Sequence, residues 1–238
     1  MGSTLFILGA FVVPVSVYVF FLPSPRIPTE GGDIRQRPSE SGHWDIRAFM
    51  FLIAFFILFT VGTECTMTSW LPTFLFMGGL TDEANAAYFA SIFWTGCLIG
   101  RTLSVFISTK MKPHSFVRIL LLITLIASFG FVFFQKNIRL IMLTILIVGS
   151  SSGSTFPNML LMIREKMPLS GKMNGIVFAF TEVGAMLVPW FVGQVLDRNG
   201  AQVFPPAVLI QICGALILLA IIQKKYPTPF LKAAADDA

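Results

Sequence analysis

The chain has 238 residues, of which 55% are apolar and only 12% charged, with 25 phenylalanines and a mean hydropathy of +0.79. Soluble domains carry about 25% charged residues, so a soluble globular fold is excluded and lipid is the expected solvent. The formal charge of +5 does not mark a nucleic-acid binder, because the basic residues sit in short loops between apolar runs, as in loops that face anionic lipid.

A membrane helix needs about 20 mainly apolar residues. Seven segments meet that requirement: 4–22, 48–77, 84–108, 116–134, 138–163, 173–196 and 204–223. The first opens without a basic n-region and without a small-residue cleavage site before Pro23, so it reads as a retained helix rather than a signal peptide. It is expected to follow further chain upstream. Residues 23–47 carry Pro23, Pro25, Pro28 and Pro38, two adjacent glycines and four charges of each sign. That composition predicts a water-exposed linker between one helix and a block of six.

The second span holds Thr60-Val61-Gly62-Thr63-Glu64-Cys65-Thr66-Met67-Thr68-Ser69-Trp70-Leu71-Pro72. Thr60, Glu64 and Thr68 recur at i, i+4 and i+8 and share one face. A carboxylate in a membrane interior is costly and marks a functional site by default. Pro72 removes a backbone donor and frees a carbonyl one turn back. The alternative is a structural carboxylate bonded between helices. Along the third span, Tyr88, Ser91 and Thr95 form a polar stripe, and Trp94 lies deep enough to stack on a sugar ring. Trp70 and Tyr88 fall near span ends, where such residues mark the membrane interface.

In the fifth span, Gly149-Ser150-Ser151-Ser152-Gly153-Ser154-Thr155-Phe156-Pro157-Asn158 combines small residues, hydroxyls, a proline and an amide. It is either a cavity-lining helix, with Asn158 facing solute, or a close-packing seam. Glu182 lies nine residues into the sixth span, about 13–14 Å deep at 1.5 Å per residue. It is a candidate proton or cation site, or else a packing hydrogen bond.

Cys65, Cys97 and Cys213 all fall inside apolar runs and are expected to be small buried residues. His43 and His114 have no metal-ligand partners nearby. No P-loop and no nucleophile elbow occur. No enzyme activity, metal or cofactor is therefore expected, apart from H+ or Na+ as a coupling ion.

Basic residues fix the expected orientation. The side of the 23–47 linker receives Arg26, Arg35, Arg37, Arg47, Arg101, Lys110, Lys112, Arg118, Arg164, Lys166, Lys172, Lys224, Lys225 and Lys232. The other side receives Lys136, Arg139 and Arg198. By the positive-inside rule the linker and C-terminus are cytoplasmic and the N-terminus lies on the opposite side.

Two short patterns carry a resemblance. Gly193-Gln194-Val195-Leu196-Asp197-Arg198-Asn199-Gly200 at an outer turn fits the G-x-x-x-D-R-x-G pattern of the major facilitator superfamily. Gly96-Cys97-Leu98-Ile99-Gly100-Arg101, running into Lys110-Met111-Lys112, resembles its degenerate copy in the second half of that family, with Gly100 where an acidic residue often sits. Gly62-Thr63-Glu64, Trp70-Leu71-Pro72 and Phe93-Trp94-Thr95-Gly96 are similar to the fucose-permease and sodium-dependent glucose transporter branch.

The resemblance implies an all-α membrane protein with a partial major facilitator fold, whose seven helices match helices 6–12 of a twelve-helix carrier. Residues 1–22 would end the first half, 23–47 form the cytoplasmic linker, 48–223 the six-helix second half and 224–238 a cytoplasmic tail. It implies alternating access for a small polar solute such as a sugar, by H+ or Na+ symport. Glu64, Thr60, Thr68, Trp94, Asn158 and Glu182 would bind solute or ion. Gly96, Gly100, Arg101, Gly193, Asp197, Arg198 and Gly200 would shape the turns. The expected partners are the bilayer, the solute and the missing N-terminal half or a full-length relative. Two other readings stay open: a truncated, non-transporting protein that pairs with such a relative, and a seven-helix receptor.

Overall fold

The computed structural model describes residues 46–134, 137–166 and 171–226. The expected first span, the linker up to residue 45 and the tail beyond residue 226 lie outside these. The described residues form α1 (Ile46–Met77), α2 (Glu83–Ser108), α3 (Pro113–Ser128), the short α4 (Gly130–Phe133), α5 (Ile138–Lys166), α6 (Gly171–Asn199), a 3-10 turn (Ala201–Val203) and α7 (Phe204–Lys225). They contain six helical segments long and apolar enough to cross a membrane, with α3 and α4 counted together.

Apolar residues surround these helices rather than forming a single stripe. That pattern belongs to helices whose outer faces meet lipid. Local chemistry sets their ends. Asp82 caps α2 and accepts a hydrogen bond from the Asn85 amide at 3.1 Å, with Glu83 in the first turn beside the positive helix end. Pro113 opens α3, where its missing N–H costs nothing. Gly79 (φ 69°) and Gly200 (φ 81°) take left-handed backbone at two turns.

Some ends fall later than the sequence implies. α5 runs to Lys166 and α6 to Asn199, past the expected ends at 163 and 196. Arg164 and Lys166 complement the negative end of α5, and Lys166 Nζ donates to the Tyr226 carbonyl at the end of α7.

Within the bundle, α1 packs on both α2 and α6 and also on α7. α2 lies chiefly on α5, and α3 on α5 and α7. In lipid the drive for such packing is close van der Waals contact rather than water exclusion. The α2–α5 seam shows how that contact is reached. A Cβ on Gly100 would overlap the Ser150 carbonyl, and one on Gly149 would overlap the Phe93 carbonyl. Ser150, Ser151, Ser154 and Thr155 return their hydroxyl protons to carbonyls one turn back on α5. None of these four hydroxyls is left as an unmet donor inside the bundle.

Two apolar clusters fill the bundle. One joins Phe49, Ile53, Phe56 and Ile57 of α1 to Met162, Leu219 and Tyr226. The other joins Leu71, Phe74 and Leu75 to Phe93, Phe131, Ile145 and Phe204. Two of the three cysteines differ from expectation. Cys97 is buried, but Cys65 is half-buried and Cys213 is exposed on α7. An apolar thiol on a lipid-facing helix surface carries no solvation cost, so position within an apolar run does not imply burial.

Candidate functional site

The charged centre of the bundle is a pair that bridges α1 and α2. Glu64 lies about 27 Å from the start of α1 at 1.5 Å per residue, past the middle of the helix. Its Oε1 sits 3.2 Å from Arg101 Nη2, with the Glu64 side chain 12% exposed and the Arg101 side chain 50% exposed. Arg101 Nε donates to the Gly153 carbonyl of α5 at 3.0 Å. One guanidinium thus ties three helices. Mutual neutralisation is what makes two charges tolerable at this depth.

Neither Nη1 of Arg101 nor Oε2 of Glu64 has a hydrogen bond to a described residue. The pair therefore keeps one donor edge and one acceptor oxygen without a partner among the described residues. Trp94, Leu98 and Arg101 recur at i, i+4 and i+7 on the same face of α2. Trp94 is 50% and Leu98 68% exposed. The face offers a ring, an apolar ledge and a paired donor and acceptor.

The other candidates fall in different places. Thr60 is buried, and its hydroxyl donates to the carbonyls of Phe56 and Ile57. Thr68 donates to those of Glu64 and Cys65. The shared face of Thr60, Glu64 and Thr68 is thus real in register, yet neither hydroxyl bonds the carboxylate. Thr60 instead lines a small cavity of about 10 Å³ with Thr63, Thr124, Ser152 and Thr155, enough for the centre of one water. Asn158 is buried, and its Nδ2 donates to the Ser154 carbonyl at 2.7 Å. Glu182 is exposed on α6, without an ion pair among the described residues.

The turn residues divide likewise. Gly96 and Gly100 carry the α2–α5 seam. Gly193 lies under the Trp70 ring, while Trp70 Nε1 donates to the Pro189 carbonyl at 2.7 Å. Trp70 therefore fastens α1 to α6, a role its position near a span end did not reveal. Asp197 and Arg198 are exposed at the end of α6, and Gly200 N–H closes that helix on the Leu196 carbonyl at 2.7 Å. Arg101, expected to serve a turn, instead enters the charged centre. The signal for this was present: a base and an acid stand inside neighbouring spans, and each needs a counter-charge.

Among the described residues, six apolar spans, small-residue helix seams and a neutralised charge pair define a polytopic membrane protein. A family profile described as Major Facilitator Superfamily matches residues 2–189, and the chain belongs to that superfamily, whose members are transporters and not enzymes. It is 27% identical over 223 residues to mouse (Mus musculus) sodium-dependent glucose transporter 1A, a match covering 90% of this chain and 50% of that protein. It is 27% identical over 194 residues to human (Homo sapiens) sodium-dependent glucose transporter 1, covering 80% and 37%. It is 28% identical over 145 residues to human major facilitator superfamily domain-containing protein 4A, covering 60% and 28%. The chain spans half or less of the length of these relatives.

Proposed function

We propose that this chain forms the second half of a secondary active transporter for a small polar solute of the sugar class, with H+ or Na+ as coupling ion. The observation that carries this reading is the Glu64–Arg101 pair. Its arginine stands on the α2 face that also carries Trp94 two turns away, and the pair has one donor edge and one acceptor oxygen unspent. Sugar hydroxyls both donate and accept, and a ring such as Trp94 can stack on the C–H face of a pyranose. The names of the relatives support a sugar and Na+.

The first 22 residues would end the first half and residues 23–47 would join the two halves, which would give the chain seven helices. Alternating access would then move the two halves around the pair. A non-transporting partner of a full-length relative is the second reading, favoured by the half-length match. The family match places the chain with carriers rather than seven-helix receptors.

A twelve-helix carrier containing this sequence is expected to accumulate glucose against its gradient when Na+ or H+ is driven inward. Equilibration without accumulation under either gradient would contradict coupling. The loop charges support a cytoplasmic position for residues 23–47, 109–115 and 164–172. Single cysteines at Ser39 and Ser170, in a background lacking Cys65, Cys97 and Cys213, should then resist impermeant maleimide on intact cells. Labelling of both without permeabilisation would reverse the orientation.

A further inference from the structure

Charge is distributed unevenly over the two ends of the bundle. At the end where α2 meets α3 and where α5 and α7 finish, the described residues include Lys110, Lys112, Arg118, Arg164, Lys166, Lys224 and Lys225, with Glu165 as the carboxylate. At the other end stand Arg139 and Arg198 with Asp82, Glu83 and Asp197. Two of the cations at the basic end already have partners within the fold: Arg118 donates to Gln223, and Lys166 to the Tyr226 carbonyl.

Lys110, Lys112 and Arg164 do not share that fate. They converge on a cup of about 580 Å³ between the α2–α3 turn and the last turn of α5, with Ser108, Thr109 and Glu165 on its wall. All three cations are exposed, and none has an ion pair to a described residue. Lys112 also holds the N-cap position of α3 without a side-chain hydrogen bond. The positive end of that helix therefore borders the same cup. The remaining wall is apolar, made by Met111, Pro113 and Leu161. On α2, Phe106 and Ile107 continue exposed apolar surface toward the membrane.

A polyanion alone would use the cations and leave the apolar wall idle. A detergent-like chain alone would do the reverse. We propose that this cup binds the phosphorylated headgroup of an anionic membrane lipid, with the phosphate against Lys110, Lys112 and Arg164 and the acyl chains along Leu161 and the exposed flank of α2. Arg164 supplies a planar fork that can engage two phosphate oxygens, while the lysines act as point charges. Glu165 opposes the ligand and keeps affinity moderate.

The test uses the purified full chain in detergent micelles, with dioctanoyl phosphatidylinositol 4,5-bisphosphate as the probe and dioctanoyl phosphatidylcholine as the neutral control. Saturable binding of the phosphorylated lipid alone is expected, weakening as salt is raised. Each cation near an anionic lipid surface is worth about fivefold in affinity, so Lys110→Gln/Lys112→Gln/Arg164→Gln should weaken binding roughly hundredfold. Glu165→Gln should tighten it by a few-fold. Lys224→Gln/Lys225→Gln, at the same end but outside the cup, should change it less than about twofold. Melting temperature and monodispersity report folding. If the triple variant is misfolded, the three single variants and the gain from Glu165→Gln carry the test. Equal losses from the Lys224/Lys225 variant would show diffuse attraction to charge and overturn the site. Binding of free inositol trisphosphate as tight as that of the lipid would overturn the lipid in favour of a soluble phosphate.

Discussion

Glu64→Gln, in a twelve-helix carrier containing this sequence, should leave insertion and surface level intact and abolish gradient-driven uptake. Gln keeps the length of the side chain and an oxygen that can still accept from Arg101 Nη2, so the helix contact survives. A hydrogen bond to a charged group is worth about 1.5–3 kcal/mol, against about 1 for a neutral one. If solute or ion binds the carboxylate, losing its charge lowers uptake at least about tenfold, and loss of the coupling ion removes accumulation altogether.

Arg101→Gln should behave differently. It leaves Glu64, only 12% exposed, without its counter-charge, and it removes the bond to the Gly153 carbonyl. The expected cost is about 1–3 kcal/mol of stability, seen as a lower melting temperature of the detergent-solubilised protein, in addition to lost uptake. The uptake measurement is normalised to surface protein. Wild-type accumulation by Glu64→Gln would show that the carboxylate serves packing only.

Six of the seven spans expected from the sequence fall on described helices, because length and hydropathy alone specify a membrane helix. The ends of α5 and α6 were less legible. Arg164 and Lys166 read as loop charges, yet they continue the helix by complementing its dipole, and Lys166 also bonds the α7 end. Glu64 was legible as an isolated intramembrane acid. A counter-charge in the neighbouring span was legible too, but not the pairing itself, since Arg101 belongs to a turn-like pattern and its distance from Glu64 depends on how α1 leans on α2. Asn158 illustrates the opposite case. Its amide lies in a hydroxyl-rich, proline-bearing stretch suited to a solute path, and in the fold its Nδ2 donates to its own helix backbone. Hydroxyls and amides in membrane helices can always turn back on carbonyls one turn away, and a sequence does not show which choice is made. Trp70 likewise read as an interface marker, and only the position of Pro189 on α6 gives its indole N–H a partner.

The second large effect concerns the chain by itself. α2 and α6 both flank α1, and only 28% and 22% of their apolar windows are buried, against 56% for α5. Arg101 and Trp94 on α2 and Glu182 on α6 lie on that unburied surface. A charged group facing lipid at this depth costs at least about 2.5 kcal/mol on insertion scales, so in the proposed carrier a second body would cover these residues and enclose water and solute with them. With no such body there is no sealed path and no alternation between two sides of the membrane. The direct measurement is uptake of radiolabelled glucose into proteoliposomes under imposed Na+ and pH gradients, for the chain alone and for the chain within a twelve-helix carrier. Saturable, gradient-driven accumulation is expected in the carrier and none by the chain alone. Saturable, gradient-driven uptake by the chain alone would contradict this and identify a carrier assembled from copies of this polypeptide.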